Sequence, residues 1–169
     1  MKKIWCVVPV YNNAATVHEV VRECLKELPD VLVVDDGSTD TDLVAFYANT
    51  PVKVLRSEVN QGKGAAIRRA AEYLAELDAD YMITIDADGQ HFPSDIRNFL
   101  PLIEENEHAV IVGCRDFNTE NVPESSRFGR NFANFWMKVE TGVKVDDCQS
   151  GFRAYPVKDI VQLHCISDH

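Results

Sequence analysis

A chain of 169 residues, 46% of them hydrophobic, suits a single domain with a substantial core. Its formal net charge of −10 argues against nucleic acid as a partner, because that binding runs on lysine and arginine contacts to phosphate. No apolar run approaches the roughly 18 residues of a membrane span, and the start Met1-Lys2-Lys3 leads into a run broken by Pro9 with no small-residue cleavage site, unlike a signal peptide.

Residues 4–10 are almost continuously apolar, which predicts a strand buried on both faces of a parallel sheet. Pro9 limits pairing near its end. Val17, Val20, Val21, Cys24, Leu25 and Leu28 recur at helical spacing, with Thr16-x-x-Glu19 as a capping box and Pro29-Asp30 as the stop. A second buried strand over 31–34 runs into Asp35-Asp36-Gly37-Ser38-Thr39-Asp40. Such a loop can cap the next helix; it can equally hydrogen-bond a nucleobase or ribose. A weak helix over 43–49 and a third strand over 52–55 follow. Asn60-Gln61-Gly62-Lys63-Gly64 opens an amphipathic helix with Ile67, Ala70, Ala71 and Leu74 on one side. A glycine-rich helix start suits anions, but the Walker A spacing is absent and the residues alone predict no ligand there.

The centre of the chain is the stretch from Tyr81 to His91. Tyr81, Ile83 and Ile85 alternate as in a strand. Asp86 and Asp88 then point the same way from an extended backbone, and Gly89 lets the chain turn. Two carboxylates this close repel unless positive charge lies between them. A hard cation, Mg²⁺ or Mn²⁺, answers that need and characteristically takes one or two carboxylates plus substrate phosphates. Gln90 and His91 add further candidate ligands. The plain alternative is a solvated acidic turn, but the place after a buried strand, where open α/β sheets bind ligands, favours the metal.

A helix is expected near 94–103 and a fifth strand over 109–113, ending at Arg115. There the alternation stops. Residues 116–126 are polar and read as a loop. Residues 127–139 carry Phe128, Phe132, Phe135 and Trp136 at helical spacing, a core-packing face, while Arg127 and Arg130 share another face suited to one anion. Short strands over 143–145 and 152–155 flank Asp146-Asp147-Cys148-Gln149-Ser150-Gly151, and a last helix runs over 157–165. The five cysteines are scattered and form no Cys-x-x-Cys; Cys6, Cys24 and Cys114 sit among apolar neighbours and read as reduced core residues, so a cytoplasmic location is expected.

Six motifs in order resemble the family 2 glycosyltransferases: Val8-Pro9-Val10-Tyr11-Asn12, Val34 to Asp40, Asn60 to Gly64, Asp86 to His91, Gly113-Cys114-Arg115 and Ser150-Gly151-Phe152-Arg153. The Asp-Ala-Asp-x-Gln-His and Ser-Gly-Phe-Arg-Ala-Tyr forms are most similar to the dolichol/polyprenyl-phosphate mannosyltransferase branch. The resemblance implies an α/β, Rossmann-like GT-A fold with a mostly parallel sheet flanked by helices. It implies one domain over 1–169, with a nucleotide-binding half (1–115) and an acceptor half (116–169). Relatives continue for several tens of residues past the Ser-Gly-Phe-Arg motif, so a shortened acceptor wall is expected. The implied activity is metal-dependent, inverting sugar transfer from a nucleotide-diphosphate sugar to a polyprenyl phosphate or a glycan, at the cytoplasmic face of the membrane with peripheral contact. Pro9, Tyr11, Asn12, Asp36, Lys63, Asp86, Ala87 and Asp88 would bind the donor, many relatives carrying Glu at the position of Asn12. Asp86, Asp88 and Arg115 would be catalytic, Asp86 facing the ribose and sugar. Asp88 and Gln90 would hold Mg²⁺ or Mn²⁺; Arg127, Arg130 and Arg153 would meet phosphates or the acceptor. A sugar nucleotidyltransferase and a non-catalytic nucleotide-sugar binding module are the competing readings; the first lacks its glycine-rich basic loop after the first strand.

Overall fold

A computed structural model describes residues 1–114, 147 and 150–163. The helix predicted over 127–139, the strand over 143–145, Arg115 and residues 164–165 lie outside the described residues. Among the described residues six strands form one sheet in the order β3-β2-β1-β4-β6-β5. Strands β1 (Ile4–Val10), β2 (Val31–Asp35), β3 (Lys53–Arg56) and β4 (Tyr81–Thr84) run parallel. Strands β5 (Ile111–Val112) and β6 (Arg153–Pro156) complete it in antiparallel pairs.

Strand parity sets the layers. On one face Cys6, Val8, Val10, Val31, Val33, Tyr81, Ile83 and Ile85 pack against α1 (Val17–Glu27), α2 (Leu43–Tyr47) and α4 (Ile96–Glu105). On the other, Trp5, Val7, Leu32, Val34 and Met82 meet Ala66, Ala70, Ala71 and Leu74 of α3 (Lys63–Glu76) and Val157 of α5 (Val157–Gln162). Both faces of β1 and β2 are therefore covered, which is why those strands read as unbroken apolar runs. The alanines of α3 allow the helix to lie close on the sheet.

The chain adds β2 and then β3 on one side of β1, and α3 carries it back across to start β4 on the other side. Between β1 and β4 the order reverses, and in open α/β sheets that reversal leaves a crevice at the carboxyl ends of the strands. Pro9 fits this opening. Even-numbered β1 residues bond toward β2, as in Cys6 N–H to Asp30 O and Asp36 N–H to Val10 O, both 2.9 Å. Odd ones bond toward β4, and the last such bond is Ile85 N–H to Val7 O, 3.0 Å. The missing N–H of Pro9 thus falls just past the last paired residue of β4, Thr84.

Three local expectations are corrected. Thr16 is the N-cap of α1 but makes no side-chain cap, so the predicted capping box is not formed; its hydroxyl instead donates to Ala87 O at 2.5 Å. Cys6 and Cys24 are buried and reduced, and a hydrogen bond to Cys24 together with burial pushes the Cys6 thiol up, whereas Cys114, past the end of β5 at Val112, is exposed. The expected fifth strand over 109–113 is only two residues long.

Candidate active site

The crevice holds a cavity of about 320 Å³, within the usual range for small-molecule sites. Pro9, Val10 and Tyr11 enter from the end of β1, Asp36 from β2, Asn60, Gly62, Lys63 and Ala66 from the start of α3, and Asp86, Ala87 and Asp88 from the end of β4. Asn13 completes the lining. Of the residues predicted to bind the donor, Pro9, Tyr11, Asp36, Lys63, Asp86, Ala87 and Asp88 come together here. Asn12 does not line the cavity. It sits at φ 52, its amide oxygen accepts from Thr39 N–H at 2.9 Å, and its own N–H donates to Ser38 Oγ at 3.1 Å. Asn12 therefore ties the β1 loop to the β2 loop.

The two acids after β2 are engaged by the protein itself. Asp35 is fully buried; Oδ1 accepts from Ser38 N–H at 2.8 Å, and Oδ2 pairs with the Arg56 guanidinium, which also donates to Ser38 O at 2.8 Å. Asp36 accepts from Gln61 N–H (3.1 Å) and Gly62 N–H (2.7 Å), so its carboxylate fastens the turn that starts α3. Gly37 closes this arrangement. It sits at φ +81, and a Cβ there would approach Val59 C and Asn60 N to 2.9 Å, so only glycine lets the two loops touch.

The acids after β4 are different. Asp86 is partly exposed and pairs with Lys63 Nζ. Asp88 is exposed, and among the described residues its hydrogen bond is from Gln90 N–H to Oδ1, 2.9 Å. Gly89 makes that turn at φ +77. Gln90 is exposed beside Asp88, whereas His91 is buried with its ring 5.4 Å from that of Phe152. Among the described residues no group of three or more His, Cys, Asp or Glu side chains gathers to hold a metal. A cation at the cavity would thus depend on ligand oxygens for much of its coordination.

Arg153 lies on β6 opposite Thr84, its Nε–H donating to Ser150 O at 2.7 Å, and does not line the cavity. Arg115, Arg127, Arg130 and Asp146 lie outside the described residues; Asp147 is buried. Sequence reasoning missed Asn13, Asn60 and the Asp35–Arg56 pair. The last had a signal: if β2 and β3 are parallel neighbours, the residues closing each strand stand side by side, and Asp35 and Arg56 are register partners.

An open, doubly wound α/β domain with a cavity at its reversal point is of the class of sheets that take ligands at the carboxyl ends of their strands. Within that class this chain belongs to glycosyl transferase family 2, whose profile matches residues 5–162. It is 30% identical to the UDP-N-acetylglucosamine–dolichyl-phosphate N-acetylglucosaminyltransferase of Methanococcus voltae, over 91% of this chain and 69% of that protein. It is also 30% identical to an undecaprenyl-phosphate 4-deoxy-4-formamido-L-arabinose transferase of Pseudomonas syringae, over 92% of this chain and 48% of that one. The crystal structure of glucosyl-3-phosphoglycerate synthase from Mycobacterium tuberculosis with Mn²⁺, UDP-glucose and phosphoglyceric acid superposes with a TM-score of 0.67 at 20% identity, covering 93% of this chain and 57% of that one. The chain thus spans about half to two thirds of the proteins it matches, and the expected GT-A fold is borne out.

Proposed function

We propose that this chain carries the donor site of a metal-dependent, inverting glycosyltransferase that moves a sugar from a nucleotide-diphosphate sugar to a polyprenyl phosphate. The observation that carries the reading is the convergence of Asp36, Lys63, Asp86 and Asp88 on one cavity at the sheet's reversal point, in a chain of this family. The names of the lipid-phosphate transferases among its relatives support the acceptor class.

Tyr11 is half exposed at the mouth and offers a ring to stack on the base. Asp36 holds the Gln61-Gly62 turn in place and presents its carboxylate edge to the nucleoside. Lys63 stands at the first turn of α3, where a diphosphate would meet both the ammonium and the positive end of the helix. In doing so Lys63 exchanges its Asp86 partner for phosphate, and Asp86 is freed to accept from ribose or sugar hydroxyls. The donor atoms of Asp88 and Gln90 are hard oxygens, and three carboxylates face one lysine across the cavity, which fits a divalent cation held by Asp88 and Gln90. When bound, Mg²⁺ or Mn²⁺ offsets the diphosphate charge and stabilises it as the leaving group.

A phosphate monoester acceptor, with a second pKa near ~6, is mostly dianionic at neutral pH and needs no general base. It needs arginines to orient it for attack on the anomeric carbon from the face opposite the diphosphate. Arg115, Arg127, Arg130 and Arg153 are proposed for that task. Among the described residues no helix is long and apolar enough to cross a membrane. A lipid-phosphate acceptor, the class named for the relatives, would be met at the cytoplasmic membrane face. The test is transfer from labelled UDP- and GDP-sugars in the presence of membranes. Label extracting into organic solvent as a lipid-linked sugar is the expected result; label only in water-soluble glycan would overturn the acceptor class.

A further inference from the structure

We propose that Gly151 is a positioning residue for the Asp86 carboxylate, a role that rests on the donor-site reading for its functional meaning. A Cβ built on Gly151 would overlap that carboxylate, and the three nearest heavy atoms to it are Asp86 Oδ2, Cγ and Oδ1. Backbone conformation does not explain this glycine, since Gly151 is not among the residues with positive φ. The glycine is there because the carboxylate occupies the space a side chain would fill.

The backbone at Gly151 cannot retreat cheaply. Thr84 Oγ1 donates to Gly151 O at 2.9 Å in a buried hydrogen bond. One residue on, Phe152 is buried against Phe99 and His91, and its carbonyl accepts from Gly113 N–H at 2.8 Å. Before it, Ser150 is buried, with its N–H on Asp147 O and its carbonyl on Arg153. The Gly151 backbone is thus fixed, and Asp86 is the element that yields. On its other side stands Lys63. The carboxylate is held in a slot between a glycine backbone and an ammonium, aimed into the cavity, so that its orientation exists before any donor arrives.

A methyl group at 151 should push the carboxylate out of that slot and break its alignment with Lys63. Misplacement of a positioning group by about 1 Å can cost roughly a hundredfold in rate, and a hydrogen-bonding group left unpaired costs about ten- to a hundredfold in affinity. The experiment is a double-mutant cycle read in two ways: melting temperature, and binding of UDP and GDP with Mn²⁺ by calorimetry. G151A should melt several degrees lower than the parent and bind nucleotide about ten- to a hundredfold more weakly. In the D86G background, where the carboxylate is gone, adding G151A should change neither quantity. In the D86N background, where the bulk remains, G151A should again lower the melting temperature. A G151A chain that fails to fold alone but folds with D86G supports the proposal. Equal losses from G151A with and without Asp86, or none in either background, would overturn it. A parent chain that binds neither nucleotide would count against the donor-site reading, while the melting-temperature cycle would still decide whether Gly151 sets Asp86.

Discussion

The loops after β2 and β4 both present acids at the carboxyl end of a buried parallel strand, and in the sequence they look alike. The structure treats them in opposite ways. Asp35 and Asp36 are 0% and 4% exposed, and their oxygens are taken by Ser38, Arg56, Gln61 and Gly62. Among the described residues Asp88 is exposed and bonds only to its own turn, and Asp86 meets a lysine that is itself half exposed. Acids of the first kind hold the walls of the cavity. Acids of the second kind remain available to something that enters it. A buried carboxylate held by the protein's own donors is expected to matter first for folding, even where, like Asp36, it also borders the cavity, and an exposed one for ligand chemistry.

That contrast can be broken by four substitutions, ordered by their expected effect on stability. Asp35→Ala leaves Arg56 and Ser38 N–H without their partner and should cost roughly 2–4 kcal/mol, less than a wholly buried pair because Arg56 is partly exposed. Urea denaturation measures it, and a loss near zero would remove the distinction between the loops. Asp36→Ala should lower stability by about 1–3 kcal/mol through the freed turn amides, and nucleotide affinity should fall with it. Unchanged affinity in calorimetry would confine Asp36 to fastening α3. Thr16→Val removes the hydroxyl bond to Ala87 O while keeping the side chain's shape, and about 1 kcal/mol is expected. Asp88→Asn should leave stability within about 0.5 kcal/mol of the parent yet abolish both turnover and the Mn²⁺ dependence of nucleotide binding. Parental affinity of this variant in Mn²⁺ would end the metal role of Asp88.

Much of the frame was legible because burial leaves a periodic trace. The alternation of Tyr81, Ile83 and Ile85 correctly marked one sheet face, and the apolar runs of β1 and β2 marked strands covered on both sides. The acids at strand ends marked where the cavity lies, but the strand order that opens it is supplied by the structure. What stayed hidden depended on pairs brought together by the fold. Thr16 has the sequence of a capping box, but its hydroxyl finds Ala87, 71 residues away. Asn12 looked like a pocket residue, yet its amide serves Thr39. Gly151 reads as part of a motif, and nothing local tells that its missing side chain makes room for Asp86. Cys114 had apolar neighbours in sequence only, since the strand carrying them is two residues long.

The central place of β1 also has a consequence for how the molecule breathes. Its amides and carbonyls are bonded on both sides, to β2 and to β4, while β3 and β5 lie at the two edges of the sheet. Opening β1 requires separating it from both neighbours, so its amide protons should exchange with deuterium only in the rarest and largest fluctuations, and those of β3 and β5 in small frequent ones. The loops that carry Tyr11, Asp36 and Asp86 grow from the slowest-exchanging strands. They can therefore rearrange around an incoming ligand many times over while the strands beneath them keep their original protons.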